Sequence, residues 1–407
     1  MRTAISFAAL FLSVILMQLS SGGVGPLDAL SGLALNFSTE QIGLLGSAHF
    51  LGFFIGCWWA PRLMGSVGHS RAFAAFTAAG TIGLMSHMMF VDPYAWALMR
   101  IASGICVAGC YTVIEAWLQA KVTNETRGRT MGVYRVADMG ASLVAQMLIS
   151  VLEPASYVSY NLLALFCCAS LLPLTLTRVT QPETPAAPRL RPSLAIICSP
   201  MAAAAVVVAA ISTATFRMVG PIYGQQVGLA VEQIAYFLAA FVLGGALAQL
   251  PVGWLADKFD RRHVMIALSV AAIICCVATA ALPGLGTTGV MWSAFFFGLT
   301  SFPIYSVAAA HANDFAENHE RVELAAALMF FYALGAIAAP LLASTLIDTY
   351  GPGAIFLMIA VGHAALILFG FGRMLVRPTL DKKTRYIWAP RTSFTIGRLT
   401  GAIRDKR

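Results

Sequence analysis

Few residues in this chain have side chains that could do chemistry, and their setting makes them informative. Of 407 residues only 11% are charged, yet Asp28, Arg100, Glu115 and Arg217 all fall within long apolar stretches. An Asp, Lys or Arg at the centre of a membrane helix costs about 2.5–3.5 kcal/mol on the insertion scale, so each such residue is a functional candidate. Arg217 stands between Phe216 and Met218, with no compensating charge nearby in the sequence. A guanidinium in a cavity is a clamp for a carboxylate or phosphate; a structural pair with Asp28 is the alternative reading. Arg100 and Glu115 lie on one apolar stretch. On a helix they would be separated by about 22 Å and about 60°, too far to pair but able to line one cavity at two depths. Glu115 and Asp28 have the chemistry of proton carriers, since a carboxyl held partly out of water can exchange a proton. For Glu115 an ion pair with Arg135 is the competing reading, and for Arg100 it is anchoring to backbone carbonyls of the first span.

These groups need elements to hold them, and the composition leaves one choice. The chain is 59% hydrophobic, with a mean hydropathy of +0.78, whereas a soluble domain carries about 25% charged residues. Twelve stretches are long enough to span a bilayer, near 5–33, 41–61, 72–91, 95–119, 131–152, 157–177, 195–223, 232–254, 263–282, 287–309, 324–346 and 353–375. They lack strand-like alternation, so helices are predicted. The net charge of +8 does not point to nucleic acid: of 26 Lys and Arg, 22 fall at the N-terminus, in alternate loops (61–71, 120–130, 178–194, 255–262, 310–323) or in the C-terminal tail. That is the positive-inside pattern, with both termini cytoplasmic and a bacterial inner membrane as the expected location. The first span is read as an uncleaved helix. The eight cysteines all lie within spans and imply packing rather than disulfides.

A Pro-rich segment from Arg178 to Pro192 divides the spans six and six. The chain therefore reads as an N-terminal bundle (1–177), a cytoplasmic linker (178–194), a C-terminal bundle (195–375) and a basic tail (376–407). The tail, with Tyr386 and Trp388, is expected either to lie on the anionic leaflet or to be solvated. The two halves echo one another. Gly25-Pro26 ends the first span and Gly220-Pro221 the seventh, and Ser38-Thr-Glu-Gln41 is a capping box that opens the second span, with Gln233 in the same place before the eighth.

The loop Gly253-Trp-Leu-Ala-Asp257-Lys258-Phe-Asp-Arg261-Arg262 is the most specific motif. It resembles the signature Gly-x-Leu-Ala-Asp-Arg-x-Gly-Arg-Arg of the major facilitator superfamily at six of eight positions, with Lys258 for Arg and Asp260 for the second Gly. A worn copy, Pro61-Arg-Leu63-Met-Gly65-Ser-Val-Gly68-His-Ser-Arg71, lies 192 residues earlier, with Gly52 and Gly244 in register. Gly253 is expected to admit close packing against a neighbouring helix. Asp257 is expected to pair with Lys258, Arg261 or Arg262, or to accept from a helix N-terminus, forming a gating latch. Gly65 stands where Asp257 stands, so the first-half latch lacks its carboxylate. Arg100-Ile-Ala-Ser-Gly104 and its following glycines resemble the superfamily's helix-4 signature. Tyr111-Thr-Val-Ile-Glu115-Ala-Trp-Leu and Glu125-Thr-Arg127-Gly-Arg129 resemble the YcaD-like branch.

The resemblance implies an all-α membrane protein with twelve transmembrane helices in two pseudo-symmetric six-helix bundles, the major facilitator fold. It implies a secondary transporter working by alternating access, and it links the residue matching Arg100 to proton coupling. The expected cargo is a small anionic or zwitterionic metabolite moved in symport with protons, by a monomer. Export of amphipathic compounds and a non-transporting sensor are the rivals. The antiporter run Gly-x-x-x-Gly-Pro-x-x-Gly-Gly is missing from Gly140–Gln146, which weakens the first rival. No phosphate-binding loop and no metal cluster occur, so no cofactor is expected and no enzyme is implied. Further substrate-contact candidates are Gln18, His49, Tyr111 and Tyr305, while Arg135 and Asp138, three apart on the fifth span, are candidates for an interfacial gating pair. His87 and His363 rank below these.

Overall fold

A computed structural model of the chain describes residues 2–123, 126–176, 188–281, 286–376, 384–394 and 397. The fourteen α-helices among them are α1 Arg2–Ala34, α2 Thr39–Val67, α3 His69–Ser86, α4 Pro93–Lys121, α5 Arg127–Leu148, α6 Tyr157–Ala169, α7 Leu171–Leu176, α8 Pro192–Cys198, α9 Pro200–Gln226, α10 Val231–Lys258, α11 Arg261–Ala281, α12 Gly286–Asn313, α13 Arg321–Tyr350 and α14 Ala354–Val376. No strand occurs among the described residues. Most of the Pro-rich linker, 177–187, and parts of the tail lie outside the described residues, as does Glu125 of the branch motif.

Ten segments are long and apolar enough to cross a membrane, with α6 and α7 together forming one, Tyr157–Leu176. The two other expected spans fall on α3, which has only 18 residues, and on α5, whose interior carries Arg135 and Asp138. Helices lie at each expected place, and ten candidate spans among the described residues satisfy both length and apolarity, two fewer than the twelve expected.

Local signals explain where the helices begin. Ser38 Oγ accepts the Gln41 N–H while Gln41 Oε1 accepts the Ser38 N–H. Before α10, Gln233 Oε1 accepts the Ala230 N–H at 2.9 Å, so half of the same box survives without the hydroxyl. Asp92 caps α4 through the N–H groups of Tyr94 and Ala95, with Pro93 at the first helical position. The expected Gly-Pro endings do not end their helices. Pro26 lies inside α1 and Pro221 inside α9, and the chain continues helical to Ala34 and Gln226. A proline is tolerated in a buried helix where neighbours absorb the freed carbonyl.

The chain divides into two compact units, Met1–Arg189 with Arg391–Arg407, and Leu190–Pro390. Each is built on one very close helix pair. In the first unit, α2 and α4 meet through Gly52 and Gly104: a Cβ on Gly52 would lie 2.0 Å from the Ile101 carbonyl oxygen, and one on Gly104 2.1 Å from that of His49. In the second, α10 and α12 meet through Gly244 and Gly298, whose Cβ atoms would each lie 2.0 Å from a backbone oxygen, of Phe295 and Phe241 respectively. No side chain fits there, so these glycines fix the backbone approach. Replacing Gly104 or Gly298 by Ala should destabilise the protein by at least about 1–3 kcal/mol through overpacking. Gly362→Ala, where nothing lies within 4 Å, should be neutral within about 1 kcal/mol. Thermal unfolding of the purified variants checks the contrast.

Candidate functional site

The first unit holds two polar clusters. In one, Asp28 of α1 and Arg100 of α4 are each 2% exposed, with Arg100 Nε 3.3 Å from Asp28 Oδ2. The other carboxylate oxygen accepts from the Tyr160 hydroxyl at 2.8 Å and lies 3.7 Å from His87 Nε2. Arg100 is therefore tied to the first span by a carboxylate, and Asp28 finds a cation in Arg100 within the same unit. His87 gains a significance that its sequence setting did not give it. Its Nδ1 lies 2.7 Å from the Gly83 carbonyl, so that nitrogen carries the proton. In a neutral ring Nε2 then presents a lone pair to Asp28 Oδ1, and two acceptors face each other unless a proton is held between them. The ring is fixed there by stacking on Tyr160, with centroids 5.0 Å apart.

In the second cluster, Arg135 Nη1 donates to Asp138 Oδ2 at 2.9 Å. The expected Glu115–Arg135 pair does not form, because the carboxylate three residues along α5 is the nearer partner. Both members are buried, and Asp138 is joined inward to Tyr111, whose hydroxyl lies 2.7 Å from Asp138 Oδ1 and 2.6 Å from Gln18 Oε1. A single hydroxyl proton serves one acceptor, so a Gln18 amide turned to donate to the Tyr111 oxygen completes the network. Arg135 and Asp138 are thus part of an interior network, not a lone interfacial pair. Glu115 is surrounded by hydroxyl donors: Tyr134 at 2.9 Å, and Thr392 and Ser393 from the C-terminal segment.

His49 lies between the helices of this unit. Its Nδ1 is 3.5 Å from Ser103 Oγ, and the ring borders a small cavity of about 20 Å³ shared with Arg100, Ser20, Ser103 and Cys106. Such a space suits about one water.

In the second unit, Arg217 is half-buried on α9. One turn before it, Thr213 Oγ1 lies 3.0 Å from the Tyr332 hydroxyl, and Tyr332 packs edge-on to Tyr305 with centroids 5.7 Å apart. Residues four apart share a helix face, so Thr213 lies on the same face of α9 as Arg217. Its neighbour Phe216 turns the other way, into a dry cluster with Phe237, Phe241, Phe297 and Phe356, all at most 1% exposed. These aromatics are core.

The motif loop takes a definite form. Arg261 is 1% exposed and its guanidinium lies 2.7 Å from Asp314 and 3.2 Å from Asp257. Arg262 pairs instead with Asp260 at 2.8 Å, and Lys258 Nζ sits 4.8 Å over the Trp254 ring. Asp257 thus selects Arg261 from the three cations expected. The three heavy atoms nearest a Cβ built on Gly253 belong to the ring of Tyr386 rather than to a helix. Asp260 replaces the signature glycine without strain, since it has no positive φ, whereas its counterpart Gly68 has φ 84°. In the worn copy Arg62 stacks on Trp58 at 4.1 Å and bonds its carbonyl, and no carboxylate among the described residues joins it.

The profile of the Major Facilitator Superfamily matches residues 201–406, half of the chain, beginning at α9 and including the loop just described. The chain belongs to the major facilitator superfamily. Among curated relatives, the uncharacterized MFS-type transporter YcaD of Salmonella dublin is 28% identical over 335 residues, covering 80% of this chain and 84% of that one. Among solved structures, the nucleoside transporter NupG aligns with TM-score 0.72 at 14% identity over 91% of this chain and 98% of that one. A D-xylose–proton symporter aligns with TM-score 0.63 at 13% identity, covering 91% of this chain and 96% of that one. This superfamily member is accordingly a multi-pass membrane transporter with the major facilitator fold.

The sequence did not single out Tyr160, Tyr134, Thr213, Tyr332, Asp314 or Thr384 for the site. Asp314 was visible as a carboxylate at the end of a span, a signal that pairs it with a cationic loop. The hydroxyls carry no such mark.

The buried pairs have measurable consequences for stability. Asp28→Asn leaves Arg100 buried without its counter-charge and should cost about 3–5 kcal/mol, most of it recovered in the Asp28→Asn/Arg100→Gln double variant; unfolding in detergent measures both. At Asp260 burial alone would raise the carboxyl, but the hydrogen bonds and charge of Arg262 win and hold it below its ordinary value. Its stabilising contribution is therefore present above about pH 4 and fades as pH falls through the depressed value. Asp260→Asn should lower the unfolding temperature at pH 7, and the difference from wild type should shrink in acid.

Proposed function

We propose that this transporter moves a small anionic or zwitterionic metabolite in symport with protons, by alternating access. The Asp28–Arg100–His87 cluster carries the reading. A carboxylate and a guanidinium 3.3 Å apart in a dry interior, with an imidazole lone pair 3.7 Å from the same carboxylate, form a proton-binding element with two charge states. A proton taken up between Asp28 and His87 weakens the hold on Arg100, and that change of partner biases the packing of α1 against α4. Glu115 is the second candidate carrier, held by three hydroxyl partners, two of which come from the C-terminal segment.

Arg217 is the proposed clamp for the acid group of the cargo, with Thr213, Tyr332 and Tyr305 as its polar surround. The Gln18–Tyr111–Asp138 network is a second candidate contact, and Asp257, Arg261 and Gly253 are the proposed gate, with Arg135 and Asp138 as supports. The positive-inside distribution favours cytoplasmic termini and a bacterial inner membrane. The D-xylose–proton symporter is an instance of this fold that works with protons, which supports the coupling half of the reading and leaves the cargo open.

The test begins with a thermal-shift screen against organic acids, amino acids and cationic drugs at two pH values, followed by proteoliposome assays with whichever compound stabilises. An acid or amino acid should stabilise the wild type, and Arg217→Gln should weaken binding about 10–100-fold, the loss of one charged hydrogen-bonded contact. Asp28→Asn should retain counterflow exchange while losing uptake driven by a proton gradient. Stabilisation by cationic amphiphiles alone would favour the export reading. Gradient-driven uptake that survives in both Asp28→Asn and Glu115→Gln would remove proton coupling from these groups.

A further inference from the structure

The resemblance casts Gly253–Arg262 as a loop that closes on helices, yet its principal companion in the second unit is a length of non-helical chain. Residues Thr384–Pro390 have no regular secondary structure. They are nonetheless held at almost every polar atom that faces the helices. The Thr384 N–H donates to Asp314 Oδ1 at 2.5 Å, its carbonyl accepts from Arg261 Nη2, and its hydroxyl accepts from Arg261 Nη1 at 2.9 Å. The Tyr386 N–H donates to Asp257 Oδ1 at 2.6 Å and its hydroxyl to Gln249 Oε1 at 2.7 Å. The Ala389 N–H donates to Ser306 Oγ at 3.3 Å. Three helices, α10, α11 and α12, thus read the backbone of one short peptide.

The electrostatics explain why a backbone suits this place. One guanidinium, Arg261, stands between two carboxylates, Asp257 and Asp314, so the group retains one net negative charge after pairing. That surplus calls for N–H donors, and the segment supplies two of them, spaced two residues apart as in extended chain. The motif glycine gives a second and independent reason. A Cβ at Gly253 would lie 2.5 Å from Tyr386 Cδ1 and 2.7 Å from Cε1, so only glycine leaves the aromatic ring its seat. The ring and the two N–H groups make a pocket-and-ladder arrangement of the kind that recognises extended peptides.

We propose that the α10–α11 end of the second unit is a peptide-binding site whose occupant is the chain's own segment Thr384–Pro390, and that the seated segment holds the motif loop in its present form. Asp257 and Arg261 each commit bonding capacity to the segment, so the loop cannot rearrange as a gate without releasing it. The residues that follow act in the first unit, where Thr392 and Ser393 cover Glu115 and Phe394 is 2% exposed against Phe54. The described part of the tail, 384–394, is therefore a brake on the gate and a cover for a carboxyl.

Tryptic cleavage after Arg385 reads the occupancy directly in the full-length protein. Arg385 is exposed, but its backbone lies between the two anchored residues Thr384 and Tyr386, so cleavage requires the segment to leave its site. Tyr386→Ala should speed cleavage about tenfold, as expected when proteolysis tracks the open population. It should also speed hydrogen exchange of the Phe259–Arg262 amides by a similar factor. Gly253→Ala should do the same by unseating the ring, and the Gly253→Ala/Tyr386→Ala double variant should be no faster than either single variant, because both remove one contact. Tyr386 lies outside the spans, so its variant decides the matter even where Gly253→Ala folds poorly. Unchanged cleavage and unchanged exchange in Tyr386→Ala would overturn the proposal, and so would additive effects in the double variant. Neither readout depends on cargo or coupling ion.

Discussion

A charge removed from water must find its partner close by, and that requirement organises the interior of both units. An isolated buried ion is worth several kcal/mol of penalty, which only close pairing and hydrogen bonds offset. Asp28 with Arg100, Arg135 with Asp138, and Arg261 with Asp314 and Asp257 are the solutions reached here, each within a single unit. Each sets the rotation of a helix about its own axis. α1 must turn Asp28 toward α4, and α4 must turn Arg100 back, which leaves Glu115 to find hydroxyls instead of a cation. The glycine contacts then decide how near the backbones come, and the polar pairs decide which faces meet.

The repeat in the sequence has the same meaning for packing and a different one for chemistry. Gly52 and Gly244 do identical work, each admitting a facing carbonyl where a methyl would not fit. The loops that follow have diverged. Gly68 takes a left-handed backbone that the corresponding Asp260 does not need, and Asp260 uses its freedom to bind Arg262. At the position of Asp257 the first half has Gly65, so Arg62 turns to the face and carbonyl of Trp58. Packing is shared because both halves must solve one geometric problem; charge is not shared because only one copy of the loop keeps its carboxylate, Asp257 against Gly65.

What the sequence made legible follows the same division. Helix positions, caps and the glycine-bearing repeat were readable, because length, apolarity and local hydrogen bonding act over a few residues. Partners were not, because they depend on helix rotation and on contacts across the bundle. Glu115 and Arg135 were reasonable partners by depth, but Asp138 three residues from Arg135 wins by proximity. Gly-Pro pairs read as helix ends, yet the surrounding helices carry Pro26 and Pro221 through. Gly253 was read as admitting a neighbouring helix, whereas the group that approaches it is the Tyr386 ring, since nothing in a basic tail announces that Tyr386 will pack against it. His87 was ranked low as a lone membrane histidine, and only the orientation fixed by Gly83 gives its second nitrogen a role.

The distribution of interior charge bears on what the protein would carry. In the first unit Asp28, Glu115 and Asp138 face Arg100 and Arg135, a surplus of one negative charge when all are ionised. In the second unit Arg217 adds one positive charge and the group of Arg261 with Asp257 and Asp314 one negative charge, so the unit is balanced before any cargo binds. A monoanion bound at Arg217 would leave one charge uncompensated, and a proton taken up in the first unit would remove its surplus. Together the two events leave the sum over both units unchanged, whereas either alone shifts it and carries the desolvation penalty that the rest of the structure avoids. Coupling of a proton to an acidic cargo would then need no contact between the two sites. It would follow from the cost of presenting a net charge to the bilayer during the conformational change.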